Sequence, residues 1–332
     1  MNKWLCAWIL CFAGLRTCAW ATTYELPADG SAVIGADEIT LSTARDTLLD
    51  IARRYSVGFE EIIRANPGVD IWTPRAGINI LLPGRHLLPS GPREGIVVNL
   101  PEHRLYYYPK PKKGARPVVH TYPVSIGSVS WRSPLGETRI IAKEKHPNWY
   151  PTEAARKEHL AAGNPLPKVV PPGPDNPLGE FMMRLAAGDG TYEIHGTNNP
   201  FAVGMASTRG CITMYPEDVA ALFPLVPVGT KVSLINDPIK ITFLGGDLLL
   251  ESHPTVDSEG ASVEPNLELL SRHLERELGS YAVVIHWDFA REALRAATGI
   301  LTLVGLAASD PIPVATVTHP KPASLAPRTP SH

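Results

Sequence analysis

A chain of 332 residues, 44% hydrophobic and 19% charged, can bury two or three separate cores and is too apolar to be disordered throughout. Its net charge of −2 provides no general basic field, which argues against a nucleic-acid partner. No apolar run reaches the roughly 18 residues that a membrane-crossing helix needs, and the 33 prolines point to ordered loops and a Pro-rich tail.

The N-terminus reads as an export signal. Lys3 is a positive start, Trp4 to Leu15 an apolar stretch, and Ala19-Trp20-Ala21 a small-residue cleavage site. Residues 1–21 are therefore expected to be removed, leaving a periplasmic protein that begins at Thr22. Removal takes away Lys3, Arg16, Cys6, Cys11 and Cys18, so the mature chain carries a net charge of −4 and one cysteine, Cys211. A lone thiol can form neither an internal disulfide nor a thiolate-rich zinc site. No cofactor or metal is expected.

Residues 22–88 form the first expected unit. After a lead-in strand, Leu48, Leu49, Ile51, Ala52 and Tyr55 recur at helical spacing behind the N-cap pair Asp46-Thr47. A second helix carries Ile62, Ile63 and Ala65, stopped by Asn66-Pro67-Gly68, and Ile78 to Leu82 is a strand. This strand–helix–helix–strand order, with Asp46-Thr47-Leu48-Leu49-Asp50-Ile51-Ala52-Arg53-Arg54-Tyr55 in it, resembles a LysM module. The resemblance implies binding of the N-acetylglucosamine-containing glycan of peptidoglycan or chitin.

From residue 93 to 236 the hydrophobic period switches to two. Ile96–Leu100 and Arg104–Tyr108 read as a hairpin; Val118–Ile126, Thr138–Lys143, Tyr192–Ile194 and Lys231–Ile235 read as further strands. The expectation is a mainly β sandwich or partial barrel. Residues 144–180 interrupt it with eight prolines, and Trp149, Tyr150, Leu166 and Val169-Val170 favour an ordered flap. Residues 237–309 form a C-terminal subdomain, with helices expected at 264–278 and 288–298 and a strand or packing segment at Ile300–Leu306. Residues 310–332, with six prolines, read as a disordered tail.

The chemistry concentrates in Ile194-His195-Gly196-Thr197-Asn198-Asn199-Pro200 and Ser207-Thr208-Arg209-Gly210-Cys211-Ile212-Thr213. A thiol is a good acyl-transfer nucleophile once a base or a cation activates it. His195 ends a strand 16 residues before Cys211 and could meet it on one rim of the sheet. Gly210 lets backbone approach a substrate, and the Cys211 N–H could help form an oxyanion hole.

These segments, with Trp131-Arg132-Ser133-Pro134-Leu135-Gly136-Glu137-Thr138, Asn148-Trp149-Tyr150-Pro151 and Gly173-Pro174-Asp175-Asn176-Pro177-Leu178-Gly179, resemble an L,D-transpeptidase with a YkuD catalytic domain, over residues 40–250. The resemblance implies Cys211 as nucleophile, His195 as base and the Gly196 carbonyl as the group that orients it. It also implies a peptidoglycan stem peptide as acyl donor. The acceptor would be a second stem, in a 3→3 cross-link, or an outer-membrane lipoprotein lysine.

Three positions depart from the family pattern, one of them Ala206, where related sequences usually carry a basic residue. Arg209 stands where the family has His, and Thr213 where it has Arg. Thr208, Arg209, Gly210 and Thr213 are the expected oxyanion and substrate-binding residues. Arg209 should lower the Cys211 pKa by its charge, but it cannot relay a proton. Loss of a cation at Thr213 should weaken contact with an anionic stem. A wall-binding protein with weak or lost catalysis and a hydrolase on the same scaffold are the alternatives. Retention of both Cys211 and His195 speaks against the first. No H-x-x-x-H pair exists, and His103, His120, His146 and His159 read as solvated surface residues.

Overall fold

The computed structural model describes residues 23–28, 31–256, 262–263, 265–278 and 283–307. The expected signal peptide and the Pro-rich tail lie outside the described residues.

The N-terminal unit follows the expected order. Strands Glu38–Leu41 and Asn79–Leu82 pair antiparallel and flank helices Leu48–Arg54 and Phe59–Ala65. Thr47 caps the first helix: its hydroxyl accepts from the Asp50 N–H at 3.0 Å while the Asp50 carboxylate accepts from the Thr47 N–H at 2.9 Å. The apolar faces meet in a small core of Leu48, Ile51, Ala52, Val57, Ile62, Ile80 and Leu82.

The central domain is one curled nine-stranded sheet. Its order is Thr23–Glu25, Val118–Pro123, Arg104–Tyr108, Gly95–Asn99, Lys231–Ile235, Gly136–Lys145, Phe181–Leu185, Glu193–His195, Ile212–Thr213. Gly136–Lys145 pairs with Lys231–Ile235 through its first half and with Phe181–Leu185 through its second. A register shift between Ile140 and Ala142 bends the sheet there. Two pairs are parallel, Gly95–Asn99 with Lys231–Ile235 and Glu193–His195 with Ile212–Thr213. Ile96 and Val98 face the main core with Leu105, Met183, Ile194, Ile212 and the helix Pro216–Leu222, whereas Val97 faces a second cluster with Ile34, Leu88 and Tyr106. Burial on both faces explains why Ile96-Val97-Val98 is uninterruptedly apolar. The expected strand Val118–Ile126 breaks after Pro123 and resumes at Ile126–Gly127 to pair with Ala206–Thr208.

The flap is ordered. Trp149 and Val170 bridge through two 2.9 Å backbone hydrogen bonds, and the buried Asn176 amide donates to the Pro147 carbonyl at 2.8 Å. A helix that the proline pattern hid, Glu153–Ala161, rides on it, capped by the Thr152 hydroxyl.

The C-terminal subdomain keeps its expected helices, observed at Leu267–Leu278 and Trp287–Ala296, and the expected terminal segment forms the strand Thr302–Ala307. A hairpin of Ile239–Leu244 and Asp247–Ser252 was not foreseen; it completes a four-stranded sheet with Thr302–Ala307 and Val283–Ile285.

Three modules meet over a buried charge cluster. Glu61 of the N-terminal unit accepts from Arg104 of the central sheet at 2.6 Å. Lys240 of the C-terminal hairpin sits 2.9 Å from Glu102 and 2.6 Å from Glu251, and donates to the Leu87 carbonyl at 2.6 Å. Glu251 in turn accepts from the Leu87 N–H at 2.5 Å. Ligand atoms of His86, Glu102 and Glu251 come within 4.8 Å of one another, a spacing that would suit a metal ion. The Lys240 ammonium lies between the two carboxylates and supplies the positive charge. Burial alone would raise the Glu102 pKa, but Lys240 and its cationic neighbours hold it well below the carboxylate range. His103 departs from its expected surface role: it is packed at this junction with Nδ1 donating to the Gly204 carbonyl at 2.8 Å, and burial drops its pKa to about 4.

Candidate active site

A cleft of about 670 Å³ opens between the C-terminal edge of the sheet and the flap. Its floor comes from three neighbouring strands. In the parallel pair, Ile194 lies opposite Ile212 and His195 opposite Thr213. Parallel partners in register point to the same face, so Ile194 and Ile212 enter the core while His195 and Thr213 face the cleft. One step back along the same register, Cys211 falls beside Glu193. On the other side of Glu193, Arg184 pairs with it across the antiparallel ladder. Arg184, Glu193, His195, Cys211 and Thr213 therefore share one face, and all line the cleft.

His195 is buried, and its Nδ1 lies 2.6 Å from the Gly196 carbonyl. A carbonyl only accepts, so Nδ1 carries the proton and Nε2 is the basic nitrogen. Burial drops the imidazole pKa to about 4, the Gly196 hydrogen bond opposing it. Gly179, at φ +66°, abuts this turn: a Cβ there would come 2.9 Å from the Thr197 nitrogen.

Cys211 is half-buried. Burial pushes its thiol up to about 11; the Glu193 main-chain N–H acts to lower it and the Glu193 carboxylate to raise it. This corrects the expectation of a lowered thiol: burial, not the charge of Arg209, governs the shift. The Arg209 guanidinium pairs instead with Glu158 on the flap helix and lies 5.4 Å from the centre of the Trp131 ring. The resting site is thus a neutral thiol beside a neutral imidazole.

The loop before Cys211 is held by short bonds. Thr208 Oγ1 donates to the Cys211 carbonyl at 2.6 Å and accepts from the Gly210 N–H at 3.1 Å. Ser133 Oγ donates to the Gly210 carbonyl at 2.9 Å. Gly210 sits at φ +103°, and an added Cβ would meet the Tyr192 ring at 2.5 Å, so no other residue fits. Thr213 exchanges backbone bonds of 2.8 and 3.0 Å with Ser125.

His195, Thr208, Arg209, Cys211 and Thr213 line this cleft, and Gly196 and Gly210 adjoin them. Arg184, Glu193 and Glu158 were missed, and Trp131 was noted only as part of a family segment. Opposite charges at Arg184 and Glu193 are the only trace of that pair in the sequence, and reading it requires the hairpin register.

The match to known proteins agrees with this geometry. Residues 93–234 match the YkuD family, the L,D-transpeptidase catalytic domain. A probable L,D-transpeptidase, YcfS, from Escherichia coli K12 is 41% identical over 271 residues, which is 80% of this chain and 83% of that protein. YbiS from the same strain is 38% identical over 79% of this chain and 85% of its own length. ErfK/SrfK from that strain is 36% identical, covering 78% and 82%. The chain belongs to the L,D-transpeptidase family of acyltransferases.

Proposed function

We propose that the protein is an exported peptidoglycan L,D-transpeptidase in which Cys211 is the nucleophile and His195 the base. The observation that carries this is that both groups line one cleft at the parallel pairing of Glu193–His195 with Ile212–Thr213, with the His195 tautomer fixed by the Gly196 carbonyl. The thiol proton moves to His195 Nε2 as sulfur attacks the carbonyl between the diaminopimelate L-centre and the terminal D-Ala of a tetrapeptide stem.

The Gly210 N–H is committed to Thr208, so the Cys211 N–H is the candidate oxyanion donor. His195 returns the proton to the D-Ala nitrogen, the C–N bond breaks, and a thioester remains. An amine then attacks it, from a second stem or from a lipoprotein lysine. Arg209, bound to the flap, takes no proton.

Residues 38–82 serve as a LysM-like grip on glycan in the same proposal, supported by their strand–helix–helix–strand order. Removal of residues 1–21 puts the enzyme in the periplasm. The test is mass spectrometry after incubation with a disaccharide-tetrapeptide. A Cys211 adduct formed with release of D-Ala is expected, and no adduct under any condition refutes the reading. Failure of the whole chain to sediment with insoluble peptidoglycan would remove the glycan-binding role, and an exported protein still carrying Met1 would remove the cleaved signal.

A further inference from the structure

Among the described residues, three charged side chains besides the histidine line the cleft: Arg184, Glu193 and Arg209. Arg209 pairs with Glu158 on the flap, whereas Arg184 and Glu193 are the two charged side chains on the strand floor of the cleft. They are not a saturated pair. Glu193 Oε1 accepts from Arg184 Nε at 3.3 Å and Nη2 at 3.2 Å, both long for a charged contact, and Oε2 takes no hydrogen bond among the described residues. The Glu193 side chain is 14% exposed and that of Arg184 42%. Burial raises the Glu193 pKa and Arg184 lowers it, the net shift being upward, as for a carboxylate short of positive charge.

Position gives the pair a meaning. Continuing the parallel register one residue before Ile212 sets Cys211 beside Glu193, whose main-chain N–H and carboxylate both act on the thiol, and Arg184 lies one strand further out on the same face. Neighbouring strands are about 4.8 Å apart. A ligand whose cationic and anionic groups are separated by two bonds, lying across this face, would place the cation at Glu193 beside the sulfur and the anion at Arg184.

Resting on the transpeptidase reading above, we propose that Arg184 and Glu193 form the acceptor subsite, selecting an α-amino-acid headgroup whose ammonium binds Glu193 and whose carboxylate binds Arg184. The arriving ammonium gives one proton through His195 to water. The neutral nitrogen forms the C–N bond to the thioester carbonyl, the C–S bond breaks, and the second amine proton returns through His195 to the departing thiolate. Glu193 thus concentrates the amine over water at the thioester, and Arg184 discriminates amines that carry an adjacent carboxylate from those that do not.

The test follows the Cys211 thioester onward, so that a change in acylation rate does not enter. The full-length protein is acylated with a disaccharide-tetrapeptide and challenged with phenylalanine or with 2-phenylethylamine, which lacks the carboxylate. Transfer and hydrolysis products are counted. The wild type should favour phenylalanine by about tenfold in kcat/KM. Glu193→Gln should shift the partition toward hydrolysis by about tenfold for both amines, and Arg184→Gln should erase the preference for phenylalanine.

The swapped double variant Arg184→Glu with Glu193→Arg keeps the cross-strand ion pair but reverses its order. It should transfer as poorly as Glu193→Gln. Recovery of the wild-type partition in the swap would reduce the pair to a structural one and overturn the proposal, as would an unaltered partition in Glu193→Gln. Failure of the wild type to form the Cys211 adduct overturns the transpeptidase reading and this subsite with it. A normal adduct with unaltered partitioning overturns the subsite alone.

Discussion

The protein buries titratable groups in two places and treats them in opposite ways. At the three-module junction, Arg104 meets Glu61, and Lys240 meets Glu102, Glu251 and a backbone carbonyl. Each ion there has a counter-ion within hydrogen-bond distance, which repays the desolvation of the charges. In the cleft, by contrast, Cys211 and His195 have no counter-ions and are held neutral by burial, the thiol at about 11 and the imidazole at about 4. The lesson is that a filled charge network holds parts together, whereas burial without counter-ions moves pKa values and keeps titratable groups neutral, a perturbation that clusters at functional sites.

The strongest way to break this comparison is to remove one group on each side. Cys211→Ala should abolish acyl transfer, a loss of at least about 10³-fold, with little change in melting temperature. Stem turnover by the variant at a rate near that of the wild type would show that the cleft is not the reaction centre. Lys240→Met should do the reverse. It leaves Glu102 and Glu251 buried without their shared cation, which should cost about 3–5 kcal/mol of unfolding free energy in denaturant melts. A loss below about 1 kcal/mol would mean that the network contributes little to cohesion.

Acid sharpens the contrast further. His195 and His103 both titrate near 4 in the folded chain, against an ordinary 6.5. The unfolded chain therefore binds protons below pH 6.5 that the folded chain refuses. Their stabilising contribution is complete above that pH and is lost as pH falls through about 4. Melts between pH 7 and 4 should show a decline on the order of a few kcal/mol. His195→Gln and His103→Gln should each remove part of it, and a variant profile that coincides with the wild type would contradict the burial of that histidine.

The smallest effect belongs to the flap. Glu158 is exposed and its contact with Arg209 is a surface pair, so Glu158→Gln should change the rate of Cys211 alkylation by no more than about fivefold. A larger change would give Arg209 the influence on the thiol that its sequence position suggested.

The junction also couples the modules. The N-terminal core is separate from the central one, and that alone would let the first unit be deleted without harm. The interface between them is nevertheless dense. Arg53 pairs with Glu217 at 2.8 Å, Ser56 donates to Asp218 at 2.7 Å, and Tyr215 donates to the Val57 carbonyl at 3.0 Å. Deletion would also strip Glu61 from the buried Arg104. Glu61→Gln is therefore the milder probe of this coupling, and it should lower the stability of the whole chain rather than of one module.

Much of this protein was legible in its sequence because the signals are local. Period-two runs from Ile96 to Tyr108, the Thr47 cap and the His195 and Cys211 segments each declare themselves within a few residues. The Glu153–Ala161 helix and the Ile239–Ser252 hairpin did not, the first hidden among prolines and the second in a segment whose apolar pattern named no period. Tertiary structure alone decided the charges. Arg209 stands two residues from Cys211 in the chain, yet its guanidinium turns to Glu158, while Glu193, eighteen residues away, falls level with the sulfur. Strand register and burial, not distance along the chain, fix which charges a thiol feels, because electrostatic influence depends on separation and dielectric in the folded state.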